Sequence, residues 1–378
     1  MPTPTLTDST PCLDQSRYDL ETPAVVVDLD TMEANMREFA EFAQRHDVAL
    51  RSHVKTHKIP DIAHRQEELS GGDGILCQTL SEAEVMAQNG ISDIYLSYMV
   101  VEESKLDRLV RLSERLESFA TTVDCPGNID PLQAAADRRG ATVDAVLEID
   151  VGLGRTGVPP GEPALEMAAR IVDAENLSFA GLMGFEGHVN AEAESEADYE
   201  RLCEAAMDEL QGTAELLESD GVPVDDVRVG STGTARHSGK HPVVTEINPG
   251  MYPFNDANVV SWAGPIGPAD CALTVLTTVI SKPADDRVIV DAGSKTMSFD
   301  VDRQPIPNER DDIEYVTASE EHGWIDSSDA DEPIEVGDRL EFIVPHVCTT
   351  INLHDTLIGT RDDRVEEVWN VQARGKEK

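Results

Sequence analysis

The sequence predicts an α/β protein, a (β/α)8 barrel followed by a C-terminal β-rich domain. Two observations carry that prediction. Between residues 48 and 255, eight short apolar runs alternate with amphipathic helical stretches. After about Ala263 helical periodicity becomes scarce, and strand-like runs are separated by Gly, Pro and Asp.

The eight barrel strands are expected at Val48–Val54, Gly74–Gln78, Asp93–Tyr98, Phe119–Asp124, Ala145–Asp150, Phe179–Phe185, Val227–Ser231 and Glu246–Tyr252. Helices between them have readable starts. Ser81-Glu-Ala-Glu84 reads as a capping box, with Asn89-Gly90 as its stop. Asp30-Thr-Met-Glu33 opens a helix whose Met36, Phe39, Ala40 and Ala43 share a face, and Leu106, Leu109, Val110, Leu112 and Leu116 stripe another. Eight strands joined by helical crossovers favour a closed barrel. A doubly wound sheet would also alternate, but a second cofactor fingerprint is missing. The β-rich part is read from Leu273–Ile280, Arg287–Asp291, Arg339–Val344 and Val365–Ala373. Residues 1–20 form an N-terminal tail, 21–264 the barrel and 265–378 the β-domain, which the early strand Ala24–Asp28 can join.

Composition narrows the partners. Asp and Glu number 73 against 30 Lys and Arg, a net charge of −43. Such a field repels nucleic acid and anionic membranes. The acid is dispersed among periodic apolar residues, so disorder is the weaker reading. Dispersed acid with few lysines fits a protein kept soluble in concentrated salt, hence a halophilic cytoplasm. The six cysteines (12, 77, 125, 203, 271 and 348) are far apart and read as reduced thiols. There is no apolar run of membrane-spanning length, and Met1–Ser16 lacks a signal-peptide core.

Arg51-Ser-His-Val-Lys-Thr-His-Lys58 carries the most chemistry. On a strand, Arg51, His53 and Lys55 share one face, and such a polar face is costly to bury unless it lines a working cavity. The chain has eight lysines against twenty-two arginines, and two are here. Lysine can shed its proton and form a Schiff base. Lys55 falls at the C-terminal end of the first barrel strand, where barrels place their sites; a surface lysine in a salt bridge is the competing reading. Gly230, Ser231, Thr232, Gly233 and Thr234 follow the seventh strand, where barrels bind phosphate. Small residues and hydroxyls suit an anion there, although a plain tight turn has the same look. Arg155 sits in a glycine-rich loop after the fifth strand, able to reach a cofactor oxygen or simply to point into solvent. His346 and Cys348, at i and i+2 after a strand, form a two-ligand edge suited to Zn²⁺, with a buried thiol beside a satisfied histidine as the alternative. Tyr252, Asp256, His188 and His322 are softer loop candidates.

Together these motifs resemble the D-threonine aldolase and D-serine dehydratase family, among the alanine-racemase-like, fold-type III enzymes of pyridoxal 5′-phosphate (PLP). The resemblance runs from Thr22-Pro-Ala-Val-Val-Val-Asp-Leu-Asp30 to His346–Asp355, supported by Gly230–Thr234 and Asp291-Ala-Gly-Ser-Lys295. It implies a homodimeric PLP barrel with Lys55 as the Schiff-base residue, Arg155 near the cofactor ring, and 230–234 at its phosphate; His53, Tyr252 and Asp256 are further cofactor-binding candidates by their positions. It implies a divalent metal at His346 and Cys348, zinc before Mn²⁺ or Mg²⁺. Family aldolases tend to carry a carboxylate at the second metal position and dehydratases a cysteine, so Cys348 points to a D-serine dehydratase. Phe185-Glu186 departs from the pattern, where a tyrosine and a less acidic residue are expected. The expected substrate is a small D-amino acid with a β-hydroxyl. Lys55 would take the Cα proton; His188 or His322 would serve as base in the alternative, retro-aldol cleavage. A racemase on the same scaffold, which needs no metal at Cβ, and a non-catalytic PLP carrier are the remaining readings.

Overall fold

The computed structural model describes residues 13–378. Cys12 and most of the polar N-terminal segment lie outside the described residues. The chain divides into two compact units. One contains the described residues up to Asn35, with 253–261 and 266–374; the other contains 36–252, 262–265 and 375–378.

Strand β1 (Ala24–Asp28) belongs to the first unit. Its Val25, Val26 and Val27 are all buried, because it is an inner strand covered on both faces. The helix Leu29–His46 follows, begun by the Asp28 carboxylate, which accepts the Thr31 N–H at 2.7 Å.

The second unit is a nearly closed parallel barrel. Its strands are β2 (Ala49–Leu50), β3 (Ser52–His53), β4 (Ile75–Cys77), β5 (Asp93–Leu96), β6 (Ser118–Val123), β7 (Val143–Ile149), β8 (Leu177–Gly184), β9 (Val227–Val229) and β10 (Glu246–Ile247). Neighbours pair in sequence order, and β10 pairs with β2 to close the ring. β2 and β3 are one stave interrupted at Arg51, so the nine strands make eight staves. Helices Pro60–Ser70, Leu80–Gln88, Glu103–Ser113, Pro126–Arg139, Glu162–Val172 and Glu196–Ser219 supply the crossovers. Leu76, Tyr95, Ala120, Val146 and Met183 form one buried cluster, a layer of inward residues contributed by successive staves.

Local chemistry differs from the sequence reading at two points. The helix Leu80–Gln88 is capped by Thr79, whose hydroxyl accepts the Glu82 N–H at 3.2 Å, while Glu82 accepts the Gln78 N–H at 2.6 Å. The reciprocal cap thus lies two residues before Ser81. Arg51 does not line a working cavity. Its Nε meets Glu246 at 2.8 Å and its Nη1 meets Asp93 at 2.7 Å, at the starts of β10 and β5. It therefore closes the N-terminal end of the barrel, opposite the end that carries Lys55.

The first unit also holds β11 (Leu273–Ala284), β12 (Arg287–Val290), β13 (Ile306–Pro307), β14 (Glu314–Ala318), β15 (Gly323–Asp326), β16 (Arg339–Ile343), β17 (Thr356–Arg361) and β18 (Arg364–Asn370). They form a mixed sheet in the order β14-β15-β12-β11-β1-β17-β18, with β16 joining β11 and β13. β1 runs antiparallel to β11 and parallel to β17. The five cysteines among the described residues are free thiols. No helix among the described residues is long and apolar enough to cross a membrane.

Candidate active site

At His53 the first stave ends and the chain turns through a single 3-10 turn, Val54–Thr56. The strand alternation therefore stops before Lys55, which leaves the barrel wall on that turn, half-buried at the C-terminal end. His53 stays inside. Its Nδ1 lies 3.0 Å from the Leu76 carbonyl and its Nε2 3.1 Å from the Gln78 side-chain oxygen. Burial first, and then the charge of Lys55, push its pKa well below the ordinary histidine value. The Lys55 ammonium also acts on the buried Glu82 carboxyl, so the amine is within electrostatic reach of both groups. Glu82 lies 3.7 Å from Lys58, which also meets Glu377 at 3.0 Å. Sequence reasoning missed Gln78, which faces His53 and donates to the Ser97 carbonyl at 2.9 Å.

Residues 230–234 form a tight turn at the C-terminal end of β9. The Gly230 N–H donates to Glu186 at 3.1 Å, so that amide points back into the protein. The Ser231 N–H donates to the Thr234 hydroxyl at 3.0 Å, and the Thr232 hydroxyl accepts the Met251 N–H at 2.9 Å. The amides of Thr232 and Gly233 have no protein acceptor among the described residues. A Cβ at Gly233 would run into the Asn190 side-chain oxygen and the Trp262 ring, so a larger residue would have to displace both. Two adjacent unpaired amides beside hydroxyls make a cradle that fits a phosphate oxygen.

The loop after β7 places Arg155 in solvent, with its guanidinium 4.7 Å from the centre of the Phe185 ring. His188 follows β8. Its ring packs where a Cβ on Gly152 would lie, which a glycine at φ +128° leaves open. The His188 Nδ1 is buried and has no hydrogen-bond partner among the described residues. Tyr252 is buried: its hydroxyl lies 2.7 Å from Ser52 and accepts from Gln66 at 3.0 Å, and burial raises its pKa to about 12.

The remaining candidates belong to the β-rich unit. His346 and Cys348 do not sit on a strand. Val347 begins the short helix Val347–Ile351, and the two side chains are brought together across its first turn, sharing a hydrogen bond. The His346 Nδ1 lies 2.9 Å from Asp300, a residue that carried no sequence signal because it is 46 positions away. Burial alone would lower the His346 pKa. The hydrogen bond and charge of Cys348, then Asp300 and Asp256, override it and raise the pKa to about 10. Asp256 is buried. It caps the helix Ala257–Val260 through the Val259 N–H and accepts the Val347 N–H, both at 2.8 Å, which fixes the turn between His346 and Cys348. His322 lies exposed in the β14–β15 turn. Among the described residues no group of three or more His, Cys, Asp or Glu side chains is placed to hold a metal ion. The imidazole Nε2 and thiolate of the pair fit one edge of such a site.

The family described as "Alanine racemase, N-terminal domain" matches residues 27–256, and "Putative serine dehydratase domain" matches 272–360. The chain belongs to the alanine-racemase-like family of D-threonine aldolases and D-serine dehydratases. It is 38% identical to a D-threonine aldolase of an Arthrobacter species, over 94% of this chain and 93% of that one. It is 35% identical to a 3-hydroxy-D-aspartate aldolase of Paracoccus denitrificans, over 97% and 95%. Among solved structures, the D-threonine aldolase of Filomicrobium marinum superimposes with a TM-score of 0.91 at 34% identity, covering 97% of this chain and 99% of that one. The D-threo-3-hydroxyaspartate dehydratase of Delftia sp. HT23 does so with 0.86 at 28%, covering 94% and 98%. An alanine racemase of Clostridium difficile, at 13% identity and a TM-score of 0.69, shares the fold.

Proposed function

We propose that this member of the family is a PLP- and divalent-metal-dependent lyase of D-β-hydroxy amino acids, acting as a dehydratase of the D-serine type. The observation that carries the choice is the hydrogen-bonded pair His346 and Cys348. Structures of D-threo-3-hydroxyaspartate dehydratase include a histidine-to-alanine variant and, two positions on, a cysteine-to-alanine variant described as metal-free. The pair in this chain has the same spacing. A thiolate and an imidazole suit zinc before Mn²⁺ or Mg²⁺.

In this reading Lys55 holds the PLP aldehyde, the turn 230–234 holds its phosphate through the Thr232 and Gly233 amides and the Ser231 hydroxyl, and Arg155 borders the ring. Bound PLP supplies an electron sink at Cα. The Lys55 amine, freed when the substrate amine takes its place, would accept the Cα proton; its neighbours His53 and Glu82 set its electrostatic surroundings. The depressed pKa of His53 keeps that ring neutral, so it adds no positive charge beside Lys55. His346 and Cys348 hold the metal, which supplies Lewis acidity for the β-hydroxyl as leaving group. Asp300 fixes the His346 tautomer so that Nε2 faces the metal.

Retro-aldol cleavage is the second reading. The aldolase relatives are 38% and 35% identical, whereas the Delftia dehydratase and a Dictyostelium discoideum D-serine dehydratase are 29% and 27% identical. In that case His188, with its buried unpaired Nδ1, is the base candidate for the hydroxyl proton. A homodimer and a salt-rich cytoplasm complete the proposal. The test is a product assay with D-serine, D-threonine and D-threo-3-hydroxyaspartate. Ammonia with a 2-oxo acid supports the dehydratase; glycine with an aldehyde replaces it by the aldolase; only the L-isomer overturns both.

A further inference from the structure

Glu186 is fully buried, yet among the described residues no cation meets its carboxyl group. Its partners are all hydrogen-bond donors, its own backbone N–H among them. The Ser238 hydroxyl donates to one oxygen at 2.6 Å, the Gly230 N–H to the other at 3.1 Å, and the Thr234 hydroxyl makes a third hydrogen bond. Two of these donors belong to the turn 230–234 itself. Burying a carboxyl group without a countercharge is expensive, and packing alone would be served as well by an apolar side chain. What the carboxyl provides is acceptor capacity on both oxygens, at one place, for the two ends of a five-residue turn. Gly230 is at φ +111°, and with its amide drawn toward Glu186 the following amides of Thr232 and Gly233 are left without a protein acceptor. Asn190 holds the middle of the turn from the same segment after β8. Its amide donates to the Ser231 hydroxyl at 3.0 Å, and its oxygen accepts from Tyr199 at 3.2 Å.

We propose that Glu186 is a positioning residue that sets the turn 230–234 into its phosphate-accepting shape. The proposal rests on reading that turn as the phosphate site, and the experiment separates the two ideas. Equilibrium affinities of the apoenzyme for PLP and for pyridoxal, which lacks the phosphate, are measured from the visible absorbance of the bound aldehyde. In the wild type PLP should bind at least a hundredfold more tightly than pyridoxal. Equal affinities would remove the phosphate assignment of 230–234 whatever Glu186 does.

Given that preference, Glu186→Ala should lose tenfold or more of it while pyridoxal affinity stays unchanged. Glu186→Gln keeps an acceptor for the Gly230 N–H and can donate to the Ser238 oxygen, so it should stay within threefold of wild type. Glu186→Met fills the volume without an acceptor, and it replaces the alanine variant should that one fail to fold. A folded Glu186→Ala or Glu186→Met protein with the wild-type PLP-to-pyridoxal ratio overturns the proposal. So does a Glu186→Gln protein as impaired as the others, because the role would then lie in the charge and not in the acceptor.

Discussion

The Nδ1 of His346 lies 2.9 Å from a carboxylate oxygen of Asp300, and Asp300 is in turn held by the hydroxyls of Ser298 and Thr349 at 2.5 and 2.8 Å. A carboxylate behind a histidine fixes which ring nitrogen carries the proton and leaves the other for a metal. Asp300→Ala is therefore expected to weaken Zn²⁺ binding by roughly 10- to 100-fold, the usual cost of losing such a partner. Calorimetric titration of the metal-depleted protein measures this directly. An unchanged affinity would remove Asp300 from the site and weaken the assignment of His346.

Lys55→Ala should abolish the visible absorbance of the lysine-bound cofactor and lower turnover by at least about 10³-fold, since one amine is lost both as anchor and as base. The spectrum decides the matter independently of the rate. A variant that keeps the wild-type absorbance would move the cofactor lysine elsewhere in the chain.

Metal removal should separate the two proposed centres. Prolonged chelation, or Cys348→Ala, is expected to suppress lyase turnover by about 10²-fold or more while the PLP absorbance persists, because the metal's contribution is confined to the β-hydroxyl. Full turnover in exhaustively metal-free protein would contradict the role of His346 and Cys348.

Much of the barrel was legible because each stave is a short apolar run bounded by turn residues, and all eight are present in order. The β-rich unit was harder to read. β14 and β15 are short and bounded by acidic residues, and β17 contains Gly359, so none stands out as a strand run. Lys55 stood out through residue chemistry alone. Residues such as Gln78, Glu186, Asn190 and Asp300 did not, because each acts through a partner that only the fold brings near. Arg51 misled in the opposite direction: its proximity to Lys55 in sequence hides the fact that the stave carries the two to opposite ends of the barrel.

The net charge of −43 makes a further claim testable. Self-repulsion of this size destabilises the folded chain at low ionic strength, and salt shortens its reach from about 10 Å at 0.1 M to about 3 Å at 1 M. Raising KCl from 0.1 to 2 M should lift the melting temperature by roughly 5–10 °C, corresponding to a few kcal/mol. A melting temperature that is flat or falls with KCl would argue against a salt-adapted protein.

His57 provides a pH signature with a defined sign. Its Nδ1 accepts the Ile59 N–H at 3.0 Å, so the proton sits on Nε2, which donates to Gln66 at 2.9 Å. The ring is completely buried, and burial, only partly offset by these hydrogen bonds, lowers its pKa to about 4. In the unfolded chain the same imidazole takes a proton near pH 6.5. Between those values the unfolded state binds more protons than the native state, so stability rises with pH there. The contribution is therefore fully present above pH 6.5 and is lost as pH falls toward 4, amounting to roughly 3 kcal/mol. His53, also depressed, acts in the same direction. His57→Asn can keep the Ile59 and Gln66 hydrogen bonds without a titratable group, so it should be less stable than wild type at pH 7 through lost packing but should lose less on acidification. The stability gap between the two proteins, read from urea unfolding at pH 7 and pH 4.5, should narrow by about 2 kcal/mol. A gap that stays constant across that interval would show that the native imidazole titrates normally and is not held neutral by its burial.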